Sequence, residues 1–78
     1  MKTIKNIISK LQDRKNKTFT IQNLSLEMDW DISFEFENNS IYMITNGSTL
    51  TQERFESLKE VNCFLLNTFL TEKAFTLK

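Results

Sequence analysis

The feature that most constrains this chain is a strict alternation of apolar and polar residues from Leu24 to Glu37. Every even position is apolar and every odd position is polar, which is typical of a β-strand with one buried face and one solvent-exposed face. The segment is longer than most strands, which have roughly three to ten residues. We therefore predict a first strand from Thr18 to Leu26 and a turn or bulge near Glu27–Asp31.

Two further strands follow this first one. We predict a second strand from Asp31 to Glu37 and a third from Ile41 to Thr45. Between them, Asn38-Asn39 is typical of a tight hairpin turn, because asparagine tolerates positive φ. The third strand is expected to end in a loop at Asn46–Ser48, which contains the single glycine of the chain.

Helices are predicted on both sides of these strands. Near the N-terminus, apolar residues recur at i, i+3, i+4 and i+7, which is the spacing of one helix face: Ile4, Ile7, Ile8 and Leu11. Thr3 is the predicted N-cap of this helix and Asn16 its predicted stop. After the strands, Thr49 and Gln52 match a capping box and predict the start of a C-terminal helix.

The C-terminal segment leaves several alternatives open. Its main apolar stripe is interrupted by Asn62, so it forms one helix or two shorter helices broken near Val61–Asn62. Additional apolar residues lie off that stripe, and they either cover the sheet or form a dimer interface: Phe64, Leu66 and Leu70. The tail from Lys73 to Lys78 is either a frayed helix end or a short edge strand.

Together these elements predict one small α+β domain over residues 1–78. Its order is a helix, a three-stranded antiparallel sheet and one or two C-terminal helices that pack on the apolar side of the sheet. The residues expected in the core are Ile8, Leu11, Ile32, Phe34, Leu58 and Leu65.

The composition argues against most catalytic and metal-dependent functions. The chain has no His, one Cys and one Gly, which excludes zinc fingers, Gly-rich phosphate loops and an internal disulfide. Cys63 is expected to be an inert, at least half-buried thiol, since no His is present to activate it. A metal site built from Asp29, Asp31 and Cys63 or Glu side chains is a weaker alternative. We expect no enzymatic activity, no cofactor and no metal.

The charges are segregated along the chain, although the formal net charge is zero. Six basic residues and one acid precede Thr18, whereas no Lys or Arg occurs between Thr18 and Glu53. The strand acids recur about 7 Å apart along a strand, because the rise is about 3.3 Å per residue. That spacing resembles the spacing of phosphates along a nucleic-acid strand, so such a row suits a basic groove. The alternative is an ordinary solvated sheet face. The candidate partner-binding residues are Glu27, Asp29, Trp30, Asp31, Glu35 and Glu37, with Trp30 as an exposed anchor at the turn or else a core residue.

The order of elements resembles that of the small phage-encoded anti-CRISPR proteins that inhibit type II-A effector nucleases. The resemblance covers Ile4–Leu11 as a helix, Phe19–Ile44 as acidic strands and Thr49 onwards as helices. It implies stoichiometric binding to the nuclease, in some members at the surface that contacts DNA and in others away from it. Because the net charge here is zero, it implies a local acidic face rather than mimicry of DNA over the whole surface.

These observations lead to one main functional expectation and two alternatives. The main one is a non-enzymatic, phage-encoded inhibitor that binds a basic, nucleic-acid-handling host protein, such as a CRISPR effector nuclease, in the bacterial cytoplasm. Direct binding to nucleic acid is not expected, and neither a signal peptide nor a membrane span is predicted. The alternatives are a small DNA-binding regulator that uses the basic N-terminal helix, and a homodimeric structural module.

Overall fold

The structure is a computed structural model that describes residues 2–23, 28–47, 49–69 and 75–77, with the backbone alone for residues 2, 23, 68, 69 and 75–77. It has α+β architecture, with an N-terminal helix, an antiparallel sheet and a C-terminal helix. The elements are α1 (Lys2–Lys10), a 3₁₀ turn (Leu11–Asp13), β1 (Lys17–Asn23), β2 (Met28–Glu37), β3 (Ser40–Asn46), β4 (Leu50–Phe55), α2 (Leu58–Phe69) and β5 (Phe75–Leu77).

The sheet has four strands of six to ten residues and a short fifth strand, in the order β4-β3-β2-β1-β5. All pairs are antiparallel, and β2 is the central strand. Its hairpin with β3 turns at Asn38 (φ 48°) and Asn39 (φ 67°). Two consecutive residues at positive φ match the twist of the flanking strands, so the predicted asparagine hairpin is confirmed.

One side of the sheet is covered by both helices, and we call it the helix face. The core between the sheet and the helices consists of Ile4, Ile7, Leu11, Phe19, Ile21, Ile32, Phe34, Ile41, Met43, Phe55, Val61 and Leu65. Phe19 and Phe34 meet edge to face, with ring centroids 5.9 Å apart. The predicted core is confirmed for Leu11, Ile32, Phe34 and Leu65, whereas Ile8 and Leu58 are half-buried at its margin.

The N-terminal helix is confirmed, but its predicted ends are not. It already includes Lys2, so Thr3 lies inside it and is not its N-cap. It tightens into the 3₁₀ turn, and Arg14 follows with φ 55° and donates its N–H to the carbonyl of Leu11 at 3.0 Å. A left-handed residue of this kind ends a helix. Asn16 lies beyond that end, and its Oδ1 accepts a hydrogen bond from the N–H of Phe36 at 2.8 Å.

The turn predicted near Glu27–Asp31 is wrong for residues 28–31, because β2 already begins at Met28. Its first residues pair with β1, including Ile21 with Trp30 and Gln22 with Asp29. Residues 24–27 lie outside the described residues, as does the end of the first strand that was predicted to reach Leu26. The alternation is thus carried without interruption through ten residues of β2.

The prediction of a helix from Thr49 onwards is wrong, because Leu50–Phe55 forms a fourth strand. This strand pairs with β3 along its whole length, from Asn46 with Leu50 to Ile41 with Phe55. Pairing satisfies the backbone groups of β3 and buries Phe55, which outweighs the local resemblance of Thr49 and Gln52 to a helix cap.

A different capping box starts the C-terminal helix. The Oγ of Ser57 accepts the N–H of Glu60 at 3.3 Å, and the Glu60 carboxylate accepts the N–H of Glu56 at 2.7 Å. The spacing of Ser57 and Glu60 is the same serine-to-glutamate pattern that capping boxes use. The helix then runs unbroken to Phe69, so there is no break at Val61–Asn62. Of the alternatives for the tail, the short edge strand is confirmed by β5, which pairs with β1.

Candidate functional site

The side of the sheet opposite the helices is exposed to solvent in the part of the chain that the structure describes, and we call it the open face. Four of the predicted acids lie on it along β2, and all four are exposed: Asp29, Asp31, Glu35 and Glu37. We call these four side chains the acidic row. They share a face because successive residues of a strand point to opposite sides of the sheet, while Ile32 and Phe34 of the same strand are fully buried.

The acidic row crosses nearly the whole length of the central strand. From Asp29 to Glu37 it spans about 26 Å, because a strand rises about 3.3 Å per residue. Ser33 occupies the middle position between Asp31 and Glu35. The row is therefore an extended line of negative charge with one neutral position at its centre.

On the β1 side, hydroxyl groups border the row. The Thr20 hydroxyl donates to Oδ1 of Asp31 at 2.9 Å, and the hydroxyls of Thr18 and Ser33 lie 3.0 Å apart. These contacts follow from the register, which places Thr20 opposite Asp31 and Thr18 opposite Ser33. The hydrogen bond from Thr20 restricts the rotamers of Asp31, and each carboxylate oxygen can accept more than one hydrogen bond.

On the β3 and β4 side, the row is bordered by a mixed surface. Tyr42 lies opposite Glu35 and Ile44 lies opposite Ser33, and both are half-buried. Beyond them, β4 contributes Leu50, which is 71% exposed. Apolar side chains therefore lie directly beside the acids on the same face.

One cation reaches the open face from β4. Arg54 lies opposite Tyr42, and its Nε and one terminal nitrogen donate to Oγ of Ser40 at 3.2 and 3.1 Å. The other contact of this guanidinium group is a salt bridge to Glu56 at 3.0 Å. Arg54 thereby covers Ser40, the buried polar residue of the described chain, and its charge is directed to the end of β4 rather than to the middle of the acidic row.

The N-terminal cations lie away from the acidic row. Lys5 and Lys10 are exposed on α1, on the helix side of the sheet. Lys17 binds the carboxylate of Asp13, and this hydrogen bond, helped by the charge of Lys17, lowers the pKa of Asp13 below its ordinary value. Arg14 lies over the ring of Phe36, with its guanidinium carbon 5.1 Å from the ring centroid. These N-terminal cations therefore lie on the helix side of the sheet, opposite the acidic row.

Two predicted site residues do not join the row on the open face. Glu27 lies outside the described residues. Trp30 lies in β2 rather than at a turn, and it packs against the core on the helix face. Its indole ring lies so close to Gly47 that a Cβ atom built there would lie 2.7 Å from Cδ2 of the ring. Of the two predicted alternatives for Trp30, the structure therefore supports the core position. Trp30 is not an anchor within the acidic row.

The metal site weighed for Asp29, Asp31 and Cys63 is not assembled. The two aspartates lie on the open face, whereas Cys63 lies in α2 on the other side of the sheet. Cys63 is exposed, so the expected burial of its thiol is wrong. Among the residues that the structure describes, no group of three or more His, Cys, Asp or Glu side chains could hold a metal ion.

Sequence reasoning missed Tyr42, Ile44, Leu50 and Arg54 as members of this surface. Leu50 and Arg54 fall in the helix predicted from Thr49. The third predicted strand, which contains Tyr42 and Ile44, holds none of the candidate binding residues. The available signal was the capping pattern of Ser57 and Glu60 in front of α2, which leaves Leu50–Phe55 to form a strand.

Comparisons of the chain with protein families, with curated proteins and with solved structures found no match. Within the described residues, neither helix is long and apolar enough to cross a membrane.

Proposed function

We propose that this protein is a non-enzymatic inhibitor that binds a basic, nucleic-acid-handling protein through its open face. The observation that supports this most strongly is the acidic row, because four exposed carboxylates follow one strand on a face that no described helix covers. Charged strand positions that only provide solubility usually mix both signs. Here the central strand carries acids alone.

The chemistry of the row suits a groove lined with Lys and Arg. Each carboxylate accepts several hydrogen bonds and can take a bidentate contact from arginine. A line of like charges on a rigid strand also attracts a basic partner during diffusion and raises the association rate. Bound there, the row would occupy the positions that nucleic-acid phosphates otherwise take, and so would block access of the nucleic acid.

The resemblance to inhibitors of type II-A effector nucleases makes a phage-encoded inhibitor of such a nuclease the specific form of the proposal. These nucleases hold a guide-target duplex in a positively charged channel, which is the kind of surface that the acidic row would fit. The proposal places the acidic row against that channel and assigns no role to catalysis, a metal or a cofactor.

The test is capture of partners from a bacterial lysate, together with inhibition of DNA cleavage by a guide-loaded type II-A effector nuclease. In the test variant, the charge of three acids is removed at constant shape: Asp29→Asn, Asp31→Asn and Glu35→Gln. In the matched control, three exposed N-terminal cations are neutralised: Lys5→Gln, Lys10→Gln and Lys15→Gln.

We expect the parent and the lysine control to retain one basic nucleic-acid-handling protein and to inhibit it at equal stoichiometry. The acid variant should stay folded and lose most of this binding. If the acid variant captures the same protein as strongly as the parent, the acidic row is only a solvated face and the proposal is wrong.

A second candidate function is supported by the basic helix side. A groove of about 550 Å³ lies between α1 and α2, with Lys5 and Lys59 on its two sides. Two ammonium groups across a groove could contact phosphates, so the helix side would bind DNA in a small regulator. Under the main proposal, the protein binds duplex DNA poorly in about 150 mM salt. Micromolar binding with a steep salt dependence, lost in the lysine variant, would favour the regulator instead.

A further inference from the structure

We infer that the occupant of the open face is an amphipathic basic helix of the partner, which places its basic side on the acidic row and its apolar side on Tyr42, Ile44 and Leu50. We call these three residues the apolar patch. The inference rests on the proposed function, since it concerns the same face. It goes beyond the proposed function because it attributes the choice of partner to three uncharged residues as well as to the acidic row.

The register of the strands brings the apolar patch together. Tyr42 and Ile44 are two residues apart on β3 and share the open face. Leu50 is opposite Asn46, which is the next β3 residue on that face after Ile44. A side chain displaced by two positions on a neighbouring strand is within reach of a large apolar residue. Ile44 is thus the centre of the patch, with Tyr42 and Leu50 on either side.

The patch is not needed to fill the core. Ile41 and Met43 of the same strand face the helices and are buried, so β3 already contributes two apolar side chains to the core. Ile44 and Tyr42 lie on the opposite face. Leu50, 71% exposed at the edge strand, adds apolar area where solubility and resistance to edge pairing favour a polar residue. An apolar cluster at such a place is typical of a binding surface.

The dimensions of the face fit one helix. Adjacent strands are about 4.8 Å apart, so β2, β3 and β4 together span about 10 Å, which is close to the diameter of an α-helix. The acidic row is about 26 Å long, and a helix of about 18 residues has the same length. A helix lying along β3 would therefore contact the row with one side and the patch with the adjacent side.

The charge distribution selects this occupant over others. A second copy packed face to face would bring two acidic rows together, and the like charges would repel in a surface that becomes dry. Nucleic acid is repelled by the same carboxylates. A purely basic, unstructured segment would satisfy the row but leave the patch exposed to water. A helix that carries both lysines and leucines matches both parts of the surface.

The test uses two fluorescent helical peptides of 18 residues. Both carry lysines along one side of the helix. The adjacent side carries leucines in one peptide and glutamines in the other. Binding is measured by fluorescence anisotropy at about 150 mM salt. The protein variants are Ile44→Thr with Leu50→Thr, which remove apolar area from the patch, and the acid variant Asp29→Asn, Asp31→Asn and Glu35→Gln. Glu53→Gln is the control, since Glu53 is exposed on β4 at a register position on the helix face.

We expect the parent and Glu53→Gln to bind the leucine peptide about tenfold more tightly than the glutamine peptide, because buried apolar anchors dominate affinity. In Ile44→Thr with Leu50→Thr, that preference should disappear while the weaker binding of the glutamine peptide persists. The acid variant should weaken the binding of both peptides. Thermal melting confirms that each variant is folded.

Three outcomes would overturn the inference in distinguishable ways. If both peptides bind the parent equally and only the acid variant weakens them, the patch has no role, although the proposed function stands. If neither set of variants affects binding of either peptide, both proposals are wrong. Concentration-dependent dimerisation of the parent that is lost in Ile44→Thr with Leu50→Thr would show that a second copy covers the patch, which also overturns the inference.

Discussion

The two faces of strand β2 differ in what constrains them, although their residues alternate along the same backbone. On the helix face, Ile32 and Phe34 have no exposed surface and pack against residues of α1, α2 and the neighbouring strands. On the open face, Asp31 and Glu35 are exposed, and Asp31 accepts a hydrogen bond from the hydroxyl of Thr20. The residues of the helix face are therefore determined by packing in the core. The residues of the open face are not, so binding to a partner can determine them.

The difference predicts separable effects of mutation on folding and binding. A change on the helix face should alter stability and should affect binding only through loss of the folded state. A change in the acidic row should alter binding with little effect on stability, because its side chains are exposed and surface charge interactions contribute little to folding. A substitution that reduced stability and partner binding equally would contradict this separation of the two faces.

The largest expected effect is that of Phe34→Ala compared with Glu35→Ala. Phe34 is fully buried and meets Phe19 edge to face, so its truncation leaves a cavity and should cost roughly 3–5 kcal/mol. The neighbouring Glu35→Ala should cost less than about 0.5 kcal/mol, because surface substitutions rarely do more. Urea denaturation of both variants measures the difference. Equal losses of stability, or an unchanged midpoint for Phe34→Ala, would show that the two faces are assigned the wrong way round.

A smaller effect is expected at Gly47, which lies beneath the indole ring of Trp30. A Cβ atom at residue 47 would lie 2.7 Å from the ring, and a rigid ring cannot move away as a flexible chain end can. Gly47→Ala should therefore cost about 1–3 kcal/mol, the usual range for overpacking. The melting temperature and the tryptophan emission maximum report it, with Asn46→Ala as a neighbouring control. An unchanged emission spectrum and midpoint would mean that Trp30 does not pack over this turn.

The smallest effect concerns Lys17, whose ammonium group binds the carboxylate of Asp13. The pKa of Asp13 is lowered by its hydrogen bond with Lys17, so this carboxylate favours the folded state above the pKa of the unfolded chain. The contribution is lost as the pH falls through the lower pKa of the folded state. In Lys17→Met, the titration midpoint of Asp13 measured by NMR should rise, whereas Lys5→Met should leave it unchanged. An unaltered midpoint in Lys17→Met would leave Lys17 available to the acidic row and weaken the separation of charge.

The parts of the fold that the sequence predicts well are those in which local and tertiary preferences agree. The apolar spacing of Ile4, Ile7 and Leu11 predicts α1, and the alternation through β2 predicts which of its residues are buried. Asn38 and Asn39 predict the hairpin, since few other residues adopt positive φ readily. The exposure of four of the five predicted strand acids follows from the same alternation.

The parts that the sequence predicts poorly are those decided by pairing between distant residues. Leu50–Phe55 has a helix-like start at Thr49, but it becomes a strand because β3 offers a free edge. The position of Trp30 stays open between a turn and the core, because the alternation is longer than an ordinary strand, and β2 accommodates it with ten residues. The apolar patch could not be predicted from the sequence either, because only the pairing of β4 with β3 brings Leu50 near Ile44.

The most direct test of the account is the association rate of the captured partner with a charge-reversed acidic row. In Asp29→Lys, Asp31→Lys and Glu35→Lys, three attractive contacts become repulsive on the exposed face. The protein should fold as the parent does, its association rate should fall by about tenfold or more, and association of the parent should slow as salt is added. The matched reversal Lys5→Glu, Lys10→Glu and Lys15→Glu should associate at nearly the parental rate. A folded acid-reversed protein that associates as fast as the parent, or a lysine-reversed protein that alone fails to bind, would contradict the assignment of function to the open face.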